Sequence, residues 1–376
     1  MVRGLCTNDA ARFLFFSVAG MSTTHNKSVS PATARAAAVE TSVVEMFYRA
    51  PLWLPNSHVQ TIVPALFARL PAVTYRRERW DTPDGDFIEL DWLVHEATAS
   101  GAWDNEEPST DVPLFVLFHG LEGSSNSHYA RALMAAARER GWHGVVPHFR
   151  SCSGPMNLLP RFYHLADSAE VDWVLRRLRD VHSGPIVAAG VSLGGNVLLR
   201  WLGERREDAS FLTAAAAISA PLDVHAGGRA LSQGFGKMYT RNFLKTLKVK
   251  ALQKLEQYPG LYDANAMLAT RNMYEFDNIV TAPLHGFRNA DDYWTQATTR
   301  PLLPEITVPT LVLNARNDPF LPGAVLPGRH EVSAAIELDQ PQHGGHVGFM
   351  TGPFPGRSDW LSRRVFNYLT PFVDHG

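Results

Sequence analysis

The sequence predicts an α/β protein with a mostly parallel central sheet and helices on both faces. Short runs such as "LFVLF" and "AAAAI" are apolar throughout, as expected for strands that are covered on both sides. Helical patterns separate these runs, which is the chain order of βαβ units. The interval from Leu222 to Pro309 interrupts this order with Lys- and Leu-bearing helical segments. We interpret it as an inserted helical cap over about residues 222–309.

The first 40 residues are predicted to be a disordered extension, because the chain is polar and rich in small residues from Met21 to about Glu40. The apolar run in "ARFLFFSVAG" is too short to span a bilayer and lacks the layout of a signal peptide. Met21 is a candidate start of the natural chain. We expect the α/β domain to cover residues 41–370.

An antiparallel hairpin is predicted at one edge of the sheet. "FIELDWLV" alternates apolar and polar residues, as half-buried strands do, and "TPDGD" before it has the composition of a turn. The partner strand is expected over Thr74–Trp80. Residues 99–112 are rich in Gly, Asp, Glu, Pro and Ser, and predict a surface loop.

The remaining elements follow along the chain. The patterns predict the strand "LFVLFHG", the helix "HYARALMAAARERG", the strand "GVVPHF", the helix "ADSAEVDWVLRRLRD", a strand at 186–189 with a helix at 196–202, the strands "TAAAAISAP", "TLVLNARND" and "AAIELD", and the final helix "SDWLSRRVFNYLTPF". Polar residues directly after these strands should meet at one edge of the sheet, where ligands of such folds bind.

Composition narrows the class of protein. The net charge is −2 and the linear sequence shows no basic stripe, so we expect no nucleic-acid partner. Two cysteines cannot form a disulfide framework, which fits a reducing compartment, and we expect a soluble, cytoplasmic protein. No segment reaches the length of a membrane span. The 15 histidines show no metal-binding spacing, so neither metal nor cofactor is predicted. The oligomeric state stays open.

Ser192 is the strongest candidate for catalysis. It lies in "GVSLGG", between the apolar run 186–189 and a helical pattern, with Gly190 and Gly194 two residues away on each side. A strand-to-helix turn this short forces close approach of the backbone, which only glycine allows at the flanking positions. The pattern predicts a nucleophile elbow.

A serine nucleophile needs a histidine base and a carboxylate that orients it. Asp318 follows the strand "TLVLNARN", and Asp223 is the rival acid after "AISAPL". His346 and His343 both follow the last strand, and spacing alone does not separate them. We favour His346, because Gly344 and Gly345 directly before it let the backbone approach the elbow. The order Ser…Asp…His is that of an α/β-hydrolase.

The oxyanion of an acyl-transfer intermediate needs two backbone N–H donors. Leu193, at the start of the helix after the elbow, is one candidate. Leu121, in the glycine-containing stretch "FHGLEG", is the other. His119 in the same stretch is expected to hydrogen-bond this loop and not to act as a base.

The motifs "FHGLEGSSNSHYARAL", "HFRSCSG", "GVSLGGN", "NARNDPF" and "HGGHVGF", with "NSHVQTIVP", "DTPDGDFIELDW" and "DNIVTAPLHGFRNADDYW", resemble the YheT-like branch of the α/β-hydrolase superfamily, whose animal relatives are ABHD-type lipid hydrolases. The resemblance covers about residues 50 to 370. It implies an α/β-hydrolase fold with Ser192 as nucleophile, Asp318 as acid and His346 as base. Ser151 departs from the branch, where a glycine is expected.

Together these observations predict a serine carboxylic ester hydrolase acting on short- to medium-chain or lipid-like esters. Acyl transfer to another acceptor, or a non-catalytic binding scaffold, are the alternatives that remain. Aromatic and Met side chains of the cap either line an acyl pocket or pack the cap onto the sheet; these residues are Phe235, Met238, Tyr239, Phe243, Phe276, Phe287, Tyr293 and Trp294.

Overall fold

The computed structural model describes residues 47–95 and 111–374, so the predicted extension 1–40 and most of the predicted loop 99–112 lie outside the described residues. An eight-stranded sheet has the order β1-β2-β4-β3-β5-β6-β7-β8. The strands are β1 (Tyr75–Asp81), β2 (Phe87–Leu93), β3 (Leu114–Phe118), β4 (His143–Pro147), β5 (Ile186–Val191), β6 (Ala214–Ile218), β7 (Thr310–Leu313) and β8 (Ile336–Asp339). Strands β3 to β8 run parallel, whereas β2 is antiparallel to both β1 and β4.

The predicted edge hairpin is present, but the prediction that β2 is half-buried is wrong. Glu89 and Asp91, the polar residues of its alternating pattern, are both buried. Arg79 Nη2 lies 2.8 Å from Glu89, and Arg77 Nε lies 2.7 Å from Asp91. Ser125 donates a further hydrogen bond to Asp91. Because cations and hydroxyls satisfy both carboxylates, the polar face of this strand is covered instead of solvated.

The helices are α1 (Ser57–Phe67), α2 (His128–Glu139), α3 (Ser168–Val181), α4 (Leu193–Arg205), α5 (Val224–Leu231), α6 (Gly236–Gln257), α7 (Ala264–Ala269), α8 (Met273–Phe276), α9 (Ala282–Leu284), α10 (Ala290–Ala297) and α11 (Asp359–Val373). A π-helical turn at Asp277–Thr281 joins α8 to α9, and 3₁₀ turns occur at Arg206–Ala209, Arg300–Glu305, Gly323–Val325 and Arg329–Glu331. No helix in the described ranges is long and apolar enough to cross a membrane.

The sheet has a hydrophobic core on each face, which confirms the predicted α/β class. Residues of α2 and α11, including Leu133 and Phe366, pack on one face against Phe115 of β3. Residues of α3 and α4, including Leu175 and Trp201, belong to the core of the opposite face. The strands between them are almost entirely buried, which explains their apolar runs.

Six helices, α5 to α10, lie between β6 and β7 and fall within the predicted range 222–309. We call them the inserted helices, and keep 222–309 as the proposed bounds of the cap. The expectation that the protein has no basic stripe is wrong. The linear sequence shows no basic stripe, but α6 brings Lys237, Arg241, Lys245 and Lys248 to one side of a single groove. A spacing of three or four residues hides this stripe in the sequence and reveals it on a helix.

Candidate active site

Ser192 forms the whole connection between β5 and α4, because the strand ends at Val191 and the helix begins at Leu193. Its backbone has φ 54° and ψ −116°, a left-handed conformation that side chains rarely adopt. A Cβ on Gly190 would lie 2.3 Å from the carbonyl oxygen of Gly194, so the turn is closed too tightly for alanine. The turn from β5 through Ser192 to α4 therefore has the geometry predicted for a nucleophile elbow.

The structure brings the predicted serine, histidine and aspartate together. Nε2 of His346 lies 3.0 Å from Oγ of Ser192, and Nδ1 lies 2.8 Å from Oδ2 of Asp318. The second carboxylate oxygen of Asp318 accepts the N–H of Phe320 at 2.7 Å, which fixes its orientation. The Phe320 ring stacks on the imidazole with centroids 4.0 Å apart. Such an imidazole can accept the serine proton while the carboxylate stabilises the resulting cation.

The rival acid and base lie elsewhere. Asp223 caps the amino end of α5, where its carboxylate accepts the N–H of Ala226 at 2.9 Å. His343 is exposed, and its Nδ1 lies 3.4 Å from the side-chain nitrogen of Asn317. Neither side chain hydrogen-bonds to Ser192 within the described part of the chain. The geometry thus selects Asp318 and His346 from the alternatives that spacing left open.

His119 is fully buried beneath the loop after β3, where its two ring nitrogens meet backbone groups. Its Nε2 accepts the N–H of Phe149 at 3.1 Å, and its Nδ1 lies 2.8 Å from the carbonyl oxygen of Gly120. The proton of the neutral ring therefore sits on Nδ1. Burial lowers the pKa of His119 to about 3, so the ring stays neutral. This is the structural role expected from the sequence.

The loop after β3 leaves one amide free beside Ser192. The N–H of Gly120 donates to the hydroxyl of Tyr129 at 2.8 Å, and the N–H of Glu122 donates to the hydroxyl of Tyr163 at 2.7 Å. Leu121, between them, lines the cavity at Ser192. Its N–H, like that of Leu193, has no hydrogen-bond acceptor among the described residues. The two amides predicted for an oxyanion hole are thus available, and the two tyrosines that shape the loop were not foreseen.

Helix α1 holds the loop that carries His346, a role that was not predicted. The buried side chain of Gln60 accepts the N–H of Gly344 at 2.9 Å. The hydroxyl of Thr61 accepts the N–H of His346 itself, also at 2.9 Å. Asn317 joins the set, because it accepts the N–H of Gly345 at 3.0 Å. The only signal for this role was the motif "NSHVQTIVP", which carries both Gln60 and Thr61.

A mostly apolar cavity of about 140 Å³ opens at Ser192 and His346. Four of the eight side chains named for the cap line it: Phe243, Phe276, Tyr293 and Trp294. The other four do not, and Phe235 and Met238 are each 46 % exposed. The inserted helices therefore both wall the cavity and present apolar side chains outward.

Two polar features stand in the cavity wall. Lys250 of α6 lies 2.7 Å from Glu122 of the loop after β3, so an ion pair joins the inserted helices to that loop. Asp277 is buried, accepts hydrogen bonds from Thr281 and Trp294, and burial raises its pKa to about 6. No group of three or more His, Cys, Asp or Glu side chains able to hold a metal ion occurs in the described ranges.

A mostly parallel sheet with a serine elbow, and with acid and histidine loops at the same edge, is the arrangement of α/β-hydrolases. The family model described as "alpha/beta hydrolase fold" matches residues 113–353. The chain belongs to this family.

Within the family, the chain is similar to "Putative esterase YheT" of Escherichia coli (strain K12), with 39% identity over 322 residues that cover 85% of this chain and 92% of that protein. It is 30% identical to "Phospholipase ABHD3" of Mus musculus over 89% of this chain and 80% of that protein. A "Monoacylglycerol lipase" of Saccharomyces cerevisiae is 26% identical over 70% of this chain and 60% of that protein. The chain is therefore an esterase- or lipase-like hydrolase of the YheT-like branch.

Proposed function

We propose that the protein is a serine carboxylic ester hydrolase in which Ser192, His346 and Asp318 form a catalytic triad. The observation that carries the proposal is the unbroken hydrogen-bond chain from the Ser192 hydroxyl through the imidazole to the buried carboxylate, at the mouth of an apolar cavity. The esterase and lipase names of the relatives agree with this chemistry.

The reaction proceeds through an acyl-enzyme. Oγ of Ser192 attacks the ester carbonyl carbon while Nε2 of His346 takes its proton, and the N–H groups of Leu121 and Leu193 bind the oxyanion. Collapse of this intermediate breaks the ester bond, and the leaving alcohol takes the proton from His346. A water molecule then gives a proton to His346 and attacks the acyl carbon. The bond from this carbon to Oγ of Ser192 breaks, Oγ takes the proton from His346, and the acid leaves. Asp318 stabilises the imidazolium in both halves.

The cavity supports a proposal for the substrate class. Its walls are mostly apolar, and a cavity of about 150 Å³ admits a six-carbon ring such as benzene. We infer that the acyl chain is short to medium, or is the buried portion of a longer lipid. Charged acyl groups are disfavoured, because they would lose hydration against mostly apolar walls, and Lys250 of the wall is already paired with Glu122.

Hydrolysis of p-nitrophenyl butyrate tests the nucleophile. Ser192→Ala should lower kcat by roughly 10⁴- to 10⁶-fold. His343→Ala serves as the matched control, because His343 is exposed and makes no contact with Ser192 in the described structure. Wild-type turnover by Ser192→Ala would end the assignment, because another group would then carry the reaction, whereas no turnover by the wild type would leave a binding scaffold as the better description. Adding candidate alcohols to the same assay measures acyl transfer against hydrolysis.

A series of p-nitrophenyl esters from acetate to palmitate tests the acyl pocket. We expect kcat/KM to peak near a chain of about six carbons. Leu247→Trp, inside the cavity, should move the peak towards acetate, whereas Leu252→Trp, on the exposed side of the same helix, should leave it in place. A flat profile in the wild type would remove the acyl-pocket interpretation.

A further inference from the structure

A second, larger groove of about 710 Å³ lies on the inserted helices, apart from Ser192 and His346. Its charged lining is strongly unbalanced, with one acidic side chain, Glu275, and five basic ones, which are Lys237, Arg241, Lys245, Lys248 and Arg271. The protein as a whole has a net charge of −2, so this excess of positive charge is a local feature. A concave surface of one sign concentrates ligands of the opposite sign.

Three of the five cations of this groove have no acidic partner among the described residues. Lys237, Arg241 and Lys245 are exposed, and none of them forms an ion pair within the described ranges. Other exposed cations do have acidic partners: Arg76 lies 3.5 Å from Glu78, for example. The Nζ of Lys248 donates to the carbonyl oxygens of Leu268 and Thr270 at 2.8 and 2.6 Å, and the carboxylate of Glu275 acts on its charge.

Exposed apolar side chains adjoin these cations on the same helix. Met238 is 46 %, Val249 53 % and Leu252 36 % exposed. Successive residues of a helix are about 100° apart around its axis, so the four basic residues of α6 lie within a sector of about 80°. Leu252 lies inside this sector, and Met238 and Val249 lie directly beside it. Leu268 of α7, whose carbonyl oxygen accepts a hydrogen bond from Lys248, is 47 % exposed. A sector that combines cations with exposed apolar side chains offers an anionic membrane both an electrostatic and an apolar contact.

We propose that this face of α6 docks the protein onto an anionic lipid membrane. The cations are spread along about 16 Å of helix, from Lys237 to Lys248, instead of converging on one point. This spacing suits a surface of many phosphates better than a single small anion. The exposed apolar side chains can insert into a membrane interface, whereas a soluble polyanion would leave them in water.

The basic groove of α6 adjoins the cavity that opens at Ser192. Leu231, at the end of α5, lines both the basic groove and the cavity that opens at Ser192. A membrane held at this face would therefore lie next to the cavity wall. Under the proposed function, lipid-like esters of that membrane would then be close to Ser192. The docking itself does not depend on the proposed hydrolysis, so Ser192→Ala should bind membranes as the wild type does.

Co-sedimentation of the full chain with vesicles tests the proposal. We compare phosphatidylcholine vesicles with vesicles of about two parts phosphatidylcholine to one part phosphatidylglycerol. The wild type should bind the second type only, and binding should weaken as the salt concentration rises. The variant K237Q/R241Q/K245Q should bind roughly 30- to 100-fold more weakly. The control R76Q/R176Q/R206Q removes the same charge from exposed sites outside the inserted helices and should bind like the wild type.

A second variant, M238S/V249S, keeps every charge and should also weaken binding, because it removes the apolar contribution. Thermal unfolding of each variant confirms that it is folded. Equal loss of binding in both charge variants would overturn the proposal, since it would show a general electrostatic effect. Retention on polyadenylate RNA without vesicle binding would also overturn it and assign the groove to nucleic acid.

Discussion

The two loops that meet at the candidate active site are shaped in opposite ways. The elbow at Ser192 depends on two glycines within two residues of it: Gly190 lets its strand approach α4, and Gly194 lets α4 approach the end of β3. The loop of His346 is held from the other end of the chain, by side chains of Gln60 and Thr61 on α1. One loop therefore depends on the absence of side chains and the other on distant hydrogen bonds.

Because of this difference, substitutions at the two loops should change different properties of the protein. A change at the elbow collides with backbone and should disturb folding. A change in α1 leaves the fold intact but frees the histidine from its position, so it should appear in turnover.

Gly194→Ala should damage the fold and activity together. Its Cβ would lie 2.2 Å from the carbonyl oxygen of Phe118 and 2.6 Å from that of His119, and neither backbone group can move freely inside the sheet. We expect a loss of about 3 kcal/mol or more in the free energy of unfolding, measured by urea denaturation. Gly195→Ala is the control, because its closest contact is 3.0 Å and alanine favours the helix. Equal stability of the two variants would contradict this view of the elbow.

Thr61→Val should lower turnover without unfolding the protein. Valine has the shape of threonine but cannot accept the N–H of His346, so the imidazole is no longer held against Ser192. We expect kcat for p-nitrophenyl butyrate to fall roughly 10- to 100-fold, with KM nearly unchanged. Gln60→Leu should act similarly through Gly344.

Thr61→Ser is the rescue variant, because it restores the hydroxyl. A purely structural role would lower the melting temperature of Thr61→Val while kcat stayed at the wild-type value, and Thr61→Ser would then add nothing.

Ser151→Gly should give the smallest effect, a gain in stability. Ser151 has φ 62°, left-handed like Ser192, and lies where the YheT-like branch is expected to have glycine. Glycine removes this strain at some entropic cost, so we expect a gain of about 0.5 kcal/mol in thermal unfolding. Ser210→Gly, at φ −63°, should instead lose stability. A loss at both positions would show that left-handed serine carries no strain here, and would weaken the interpretation of the elbow as a strained turn.

The sequence predicted the fold class because the buried strands are apolar throughout and the helices between them are periodic. It also singled out Ser192, whose turn is encoded within five residues. It did not predict α1, whose Pro64 is normally costly inside a helix. Nor could it predict that α1 reaches the loop of His346, because contacts across more than 280 residues depend on the finished fold. The buried carboxylates of β2 were missed because their cover comes from other elements, and the basic side of α6 was missed because its residues are three or four positions apart.

Covalent labelling with a fluorophosphonate tests most directly whether Ser192, His346 and Asp318 act as one unit. Mass spectrometry should place a single adduct on Ser192 of the wild type. His346→Ala should label roughly 10³-fold or more slowly, since the hydroxyl then lacks its base. His343→Ala should label at the wild-type rate. An adduct on another residue would contradict the account. So would labelling of Ser192 in His346→Ala at the wild-type rate.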